Sequence, residues 1–426
     1  MIRILRYSGD GQALLPERSA SLADVSDTVS AVIDAVRREG DAALYRFEKE
    51  FDGAALDALE VSPAEMDEAL ALIEPAFLDV LKQAADNIRA FHSAQKRTGF
   101  ILNDRPGVVL GQKIIPVDRA GIYVPAGKAP LSSTVLMDAI PAVIAGVGEV
   151  VMVTAPNREG KIDPAILAAA HTAGVGRIFK LGGAQAVAAL AYGTESVPKV
   201  DKIVGPGGAL VAEAKRQVYG VVSSDMIAGP SEVLIVSDGR SDPAHIAADM
   251  LAQAEHDTAS SAVLVTDSEA LAEKVAAALE KQLPLLEREP IARASIENNG
   301  RIIVTRDIAE AVELANAAAP EHLELCLDDP FAWLDRVRHA GSVFLGRSAP
   351  EALGDYLAGA NHTLPTGGTA RFSSPLSVDD FIKKTQYIYY TRDALGAVAE
   401  DIALFARRES LTGHARSALI RFEEEP

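Results

Sequence analysis

The sequence predicts an α/β protein built on two sheets, with helical segments before and after them, and three observations carry that prediction. From Val108 onward, short β-branched runs alternate with turn residues and helical patterns, the signature of a parallel sheet covered on both faces. A second series of the same kind begins at Glu232. The first quarter of the chain and the stretch after Ser377 instead repeat apolar residues at helical spacing. At 426 residues, the chain is also too long for one ordinary core.

In order, residues 1–22 read as a short arm, followed by helical patterns over 25–39, 64–72 and 77–95. Strand patterns at 108–110 and 121–125 lead into the turn-rich stretch 126–130, and a helix follows from Thr134. Strands at 149–154 and 177–181 then alternate with helices at 164–173 and 185–191. The second series has strands at 232–236, 262–266, 301–305 and 342–345. Within it, Asp242-Pro243 reads as an N-cap and a first-turn proline, with Ile246, Met250 and Leu251 as the apolar face of the helix that follows. The chain ends in a helical pattern over 411–422, with Arg416 and Arg421 toward its last turns.

Composition excludes several function classes. Hydrophobic residues make up 48%, enough for buried cores, and the formal net charge of -19 argues against nucleic acid or an anionic membrane as the partner. The N-terminus lacks a signal-peptide core, and no apolar run approaches the roughly 20 residues that span a bilayer, so a soluble protein is expected. Cys326 is the only cysteine, which rules out an internal disulfide and a cysteine-cluster metal site and fits a reducing cytoplasm.

Four of the eight histidines stand in chemically dense surroundings. Gln253-Ala254-Glu255-His256-Asp257 offers an amide, an imidazole and two carboxylates within five residues near the end of a helix. Two donors three apart on one rigid element form half of a metal site, and the remainder must come from distant residues. Glu321-His322 places a carboxylate beside an imidazole where a helix gives way to a strand, a pairing suited to acid–base work. Asp355, Tyr356, Asn361 and His362 share a stretch punctuated by glycine and proline, and Glu409 and His414 flank the start of the last helix. No Gly-x-Gly-x-x-Gly follows a strand; Gly205-Pro206-Gly207-Gly208 lacks the third glycine. Pattern alone therefore points to a two-sheet α/β protein with a scattered metal-ligating constellation, a zinc enzyme of unspecified reaction.

Taken together, these stretches resemble the histidinol dehydrogenase family over essentially the whole chain. The resemblance rests on the run from Asp225 to Val233, the Gln253–His256 segment, the run Ala319-Pro320-Glu321-His322-Leu323-Glu324-Leu325, the segment from Gly354 to Ser374, and the order Glu409 to His414. It implies two incomplete Rossmann-like α/β domains with a helical N-terminal arm and a helical C-terminal domain. Residues 1–22 would be the arm. Residues 23–122 with 231–376 would form a discontinuous domain carrying most of the zinc and catalytic site. Residues 123–230 would form the cofactor side, and 377–426 a C-terminal domain exchanged between the subunits of a homodimer.

The resemblance further implies one zinc per subunit on Gln253, His256, Asp355 and His414, and NAD-dependent oxidation of L-histidinol to L-histidine through an aldehyde. His322 would be the base and Glu321 the group that activates water. Ser231, His362 and Glu409 would contact substrate together with Gln253, His256, His322, Asp355 and His414. Tyr123, Gln185 and position 208 would contact NAD. The family usually has asparagine at the position of Gly208 and a glycine where Ala126 stands, so weaker NAD binding than is typical is expected. Cys326, in an apolar strand pattern, is expected to be inert. A related enzyme oxidising another alcohol, a zinc hydrolase and a non-catalytic metal binder are the competing readings.

Overall fold

Two parallel sheets, each covered on both faces by apolar side chains, carry most of this chain. The computed structural model describes residues 2–7, 9, 14–16, 25–126, 130–226 and 229–423. Among them, contacts divide the chain into two compact units: Met1–Gln95 with Val117–Phe381, and Lys96–Pro116 with Ile382–Pro426. No described helix is long and apolar enough to cross a membrane.

In the first unit, one sheet runs in the order Arg177–Lys180, Glu149–Thr154, Arg119–Val124, Lys202–Val204, Ser223–Ser224, all parallel. The other runs Arg3–Arg6, Arg301–Val304, Ser261–Thr266, Glu232–Ser237, His322–Cys326, Ser342–Leu345, also all parallel. Strand alternation sends neighbouring residues to opposite faces, so Val151 and Val153 enter one core while Val150 and Met152 enter the other. In the second sheet, Val233 and Ile235 pack on one side and Leu234 and Val236 on the other. Runs buried on both sides explain the near-continuous Val/Ile/Leu character that marks these strands in the sequence.

Several expected elements recur with small shifts in their ends: helices Ser26–Glu39, Pro63–Leu72, Pro75–Ser93 and Pro164–Ala173, and strands Glu149–Thr154 and Ser342–Leu345. Others differ. The opening stretch, read as an arm, contributes the edge strand Arg3–Arg6. The resemblance joins the helices between 26 and 93 to residues 231–376, whereas they pack on the five-stranded sheet: Val29, Val36 and Phe47 share a core with Val151 and Val187, and Leu81 and Ile88 share one with Ile122. Amphipathic spacing says that a helix has an apolar face but not which sheet receives it.

The second unit corrects the reading of residues after Ser377 as helical from the start. Ile382–Tyr390 is a nine-residue strand, antiparallel to Val108–Pro116, with Phe100–Leu102 on the far side. Its residues Ile382, Thr385, Ile388 and three tyrosines favour a strand, but its partner lies far away in the sequence. Val108–Pro116 accordingly belongs to this antiparallel sheet and not to the parallel series that follows it. Helices Ala399–Arg408 and Thr412–Leu419 complete the unit around Ala403, Ala406 and Ala415.

One turn of the first unit depends on backbone freedom. Gly205 has φ +115°, and a Cβ there would stand 2.1 Å from the Tyr123 carbonyl oxygen. The turn is pinned by a buried Lys215–Asp225 ion pair, with Lys215 Nζ donating to the Gly205 carbonyl at 2.9 Å and the Gly205 N–H donating to Asp225 at 2.8 Å. Gly205→Ala is therefore expected to destabilise the protein by at least about 1–3 kcal/mol, the range for a residue forced into a sparsely populated backbone region. Denaturant unfolding checks this; a stability equal to that of the parent contradicts the strain argument.

Candidate active site

The C-terminal edge of the five-stranded sheet and the N-terminal edge of the six-stranded sheet border a cleft of about 550 Å³. Pro125 and the Gly205–Gly208 turn, which follow strands of the first sheet, line one side. Ser231, His256, Glu321 and His322, which precede or open strands of the second, line the other. A separate depression of about 370 Å³ near Glu65 and Lys161 holds none of the expected site residues.

Helix Pro243–Ala254 starts as its sequence requires: Asp242 caps it by accepting from the Ala244 N–H at 2.8 Å, and Pro243 occupies the first turn. Ile246, Ala247, Met250 and Leu251 bury its apolar face. Its C-terminal end, the negative pole of the helix, brings Gln253 and His256 to the cleft, a placement that favours a cation. Ligand atoms of His256, Glu351 and Asp355 lie within 4.8 Å of one another and could hold a metal ion. Gln253 is fully buried beside them. Its amide is satisfied with the nitrogen donating toward Glu351 Oε1 at 3.1 Å and the Glu232 carbonyl at 3.2 Å.

His322 opens the strand His322–Cys326 and is 4% exposed. Its Nδ1 lies 3.1 Å from the Glu232 carbonyl oxygen, which can only accept, so Nδ1 carries the proton and donates. Nε2 is then a bare lone pair, buried and without a hydrogen-bond partner among the described residues. Burial pushes the imidazole pKa down to about 4, so the ring is neutral at physiological pH. Glu321 has the opposite shift: burial, with Glu232 and Asp355 nearby, raises its carboxyl well above the usual range even though it accepts the Glu232 N–H at 2.9 Å. Burial thus biases each of these adjacent groups towards its neutral form.

Asp355 and His362 lie 3.7 Å apart. Burial raises the Asp355 carboxyl, but the His362 hydrogen bond and the surrounding imidazoles outweigh it and leave the pKa low. His362 is raised in turn because Asp355 outweighs its own burial. The stretch around His362 is tied down on both sides: Asn361 donates to the Met137 carbonyl at 2.7 Å, and the Thr363 hydroxyl donates to Asp138 at 2.7 Å.

The expected cofactor residues Tyr123 and Gln185 are buried and are not among the residues that line the cleft: the Gly183 N–H donates to the Tyr123 hydroxyl at 3.1 Å, and Gln185 donates to Glu48 at 2.9 Å. Burial pushes Glu48 up to about 8. Gly208 caps helix Ala209–Val218 on the cleft wall, with nothing within 4 Å of the position a Cβ would take. Gly127 and Lys128, beside Ala126, lie outside the described residues, as do Ile227 and Ala228 of the Asp225–Val233 run. Glu409 and His414 belong to the second unit, exposed at the turn between its last two helices. Cys326 is buried, and burial pushes its thiol well up, so it is no thiolate at neutral pH.

Glu351 escaped the reading of the sequence. Its signal was present: it stands four residues before Asp355, so one helical turn, Glu351–Tyr356, presents both carboxylates on one face. Glu48 gave no signal, since Lys49 and Glu50 beside it read as a solvated surface.

An α/β fold with a cleft between sheet edges, a neutral buried base and a cluster of oxygen and nitrogen donors defines a class of enzyme able to seat a metal ion. The sequence matches the profile of the histidinol dehydrogenase family over residues 15–422. It is 54% identical over 402 residues to the histidinol dehydrogenase of Syntrophotalea carbinolica, covering 94% of this chain and 93% of the relative. It is 51% identical to that of Pseudomonas syringae pv. syringae, covering 96% and 92%. The crystal structure of histidinol dehydrogenase from Elizabethkingia anophelis superimposes with a TM-score of 0.93 at 38% identity, covering 99% of this chain and 98% of that one. The chain belongs to the histidinol dehydrogenase family and is an oxidoreductase.

The depressed pKa of His322 has a consequence for stability. Its folded value, about 4, lies below the ordinary 6.5, so on acidification the unfolded chain takes up this proton first. The contribution is fully present above about pH 6.5 and is lost as pH falls to about 4, about 3 kcal/mol in all. His322→Asn should remove that part of the acid sensitivity, measured by denaturant unfolding across this pH window. A variant as acid-sensitive there as the parent would contradict the assignment.

Proposed function

We propose that this chain oxidises L-histidinol to L-histidine in two NAD-dependent steps at a site organised by one zinc ion per subunit. The observation that carries the reading is the buried, unpartnered Nε2 of His322 beside the His256–Asp355 donor pair, in a cleft whose opposite wall is a glycine turn. The donors fit zinc: the His256 imidazole, the Asp355 carboxylate and the Gln253 amide oxygen supply nitrogen and oxygen only. His414, from the second subunit of a homodimer, would complete the set. Exposed Leu404, Phe405, Leu411 and Ile388 in the second unit support its docking against another protein surface. Zinc, when bound, is a Lewis acid that orients the substrate's nitrogen atoms.

NAD, when bound, accepts a hydride in each step. A hydride leaves the carbinol carbon only as negative charge grows on its oxygen, and His322 Nε2 relieves that charge by taking the hydroxyl proton. Nδ1 stays anchored to the Glu232 carbonyl throughout, which fixes both tautomer and aim. Oxidation of the aldehyde then requires water to add, and Glu321 takes the proton of that water. Because burial biases Glu321 towards its protonated form, its service as base includes loss of that proton. Ser231, His362 and Glu409 contact the substrate. The Gly205–Gly208 turn at the N-terminus of helix Ala209–Val218 suits a pyrophosphate.

Four outcomes test the reading. NADH formation from histidinol should reach two per substrate, stop on chelation and return with zinc; none from a folded, zinc-loaded dimer would favour a different alcohol as substrate. Glu321→Gln should retain oxidation of the alcohol but slow that of supplied aldehyde by about 100-fold or more. The parent's aldehyde step should accelerate with rising pH, following loss of the raised Glu321 proton, and the variant should lose that limb. Gly208→Asn, for which there is open space, should tighten NAD binding; an unchanged dissociation constant would reject weakened cofactor binding at position 208.

A further inference from the structure

We infer that Glu351 is a positioning residue that holds the Gln253 amide with its carbonyl oxygen turned toward the cation site. The inference rests on the zinc reading above. An amide can ligate a metal through oxygen alone, because its nitrogen has no available lone pair. Which edge of Gln253 faces the cation is therefore decided by what lies against the other edge. Gln253 is 0% exposed, so water cannot make that choice.

The acceptors around the amide make it. Glu351 Oε1 and Oε2 stand 3.1 and 3.3 Å from the Gln253 nitrogen, and the Glu232 carbonyl stands at 3.2 Å. That carbonyl has two lone pairs and serves His322 Nδ1 with the other. Burial raises the Glu351 carboxyl well above its usual range, and in either protonation form at least one of its oxygens accepts the amide N–H; reversing the amide would aim its oxygen at the Glu232 carbonyl and leave the nitrogen unsatisfied. His322 Nδ1, 3.2 Å from the same edge, carries a proton that it gives to the Glu232 carbonyl; it is the one neighbour that would favour the amide oxygen there, against three acceptor oxygens.

Glu351 is itself rigidly held. It is 2% exposed, and its backbone N–H donates to Glu324 Oε1 at 3.0 Å, which ties the start of helix Glu351–Tyr356 to the strand that bears His322. Gly354 allows that helix to lie against Phe344, where a Cβ would meet the ring at 2.6 Å. The same short helix thus presents Asp355 to the cation and Glu351 to the amide. Carboxylates that orient metal ligands in this way typically change metal affinity by about 10–100-fold when removed.

The test is a double-mutant cycle on the full-length dimer, with zinc affinity measured by competition against a chromophoric chelator. Glu351→Ala and Gln253→Ala should each weaken zinc binding by about 10–100-fold, and the double variant should bind no more weakly than Gln253→Ala alone. Glu351→Gln keeps an acceptor oxygen and should retain most of the affinity. Glu351→Met, similar in length but without an acceptor, replaces the alanine variant in the cycle should that one fail to fold. Unchanged affinity in the folded Glu351 variants overturns the inference. Losses that multiply in the double variant also overturn it, since Glu351 would then act on the ion directly. A parent protein that binds no zinc overturns the zinc reading, and the role of Glu351 with it.

Discussion

The direction of the strands is the constraint on which the site depends. Both sheets of the first unit are parallel, so every strand of one sheet starts at the same edge and ends at the other. The cleft pairs the ending edge of the five-stranded sheet with the starting edge of the six-stranded sheet. In a parallel sheet the returning helices run against the strands, so the two edges present helix termini of opposite sign. The N-terminus of Ala209–Val218 opens on one side, and the C-terminus of Pro243–Ala254 reaches the other. One cleft therefore offers an anion-favouring wall and a cation-favouring wall without either being built from side-chain charge alone.

Desolvation sets the chemistry within that frame. His322 and Glu321 are adjacent, yet burial drives them to opposite departures from their ordinary pKa values because it penalises whichever form is charged. Backbone groups of Glu232 serve both: its N–H donates to Glu321 and its carbonyl accepts from His322. A single residue of a neighbouring strand thus fixes the orientation of both groups, and the strand pairing that aligns His322 with Val233 brings it there. Farther in, Glu324 and Asp249 are likewise held up, to about 8 and about 6, chiefly by burial. Glu324 in turn anchors the helix of Glu351 and Asp355.

Much of the framework was legible from residue order. The β-branched runs from 149 and 232 are buried on both faces and show it in composition; Asp242-Pro243 announces its helix with an N-cap that the structure reproduces. Ile382–Tyr390 was not legible as a strand, because an exposed edge strand carries little apolar periodicity and its pairing spans most of the chain. The helices of residues 26–93 were legible as helices but not as a cover for the five-stranded sheet, since an apolar stripe does not name its partner.

The site divides in the same way. Sequence by itself determined that Gln253, His256, Glu321, His322, Asp355 and His362 are chemically unusual in their neighbourhoods, because clustered donors and punctuated loops are local properties of the chain. That the six line one cleft, with Glu351 among them and Glu409 and His414 in a separate unit, was decided only by tertiary structure. The tautomer of His322, the raised carboxyl of Glu321 and the acceptors that surround the Gln253 amide are also tertiary facts. Each depends on which backbone or carboxyl group stands within about 3 Å of a buried side chain, and sequence spacing carries no such distance.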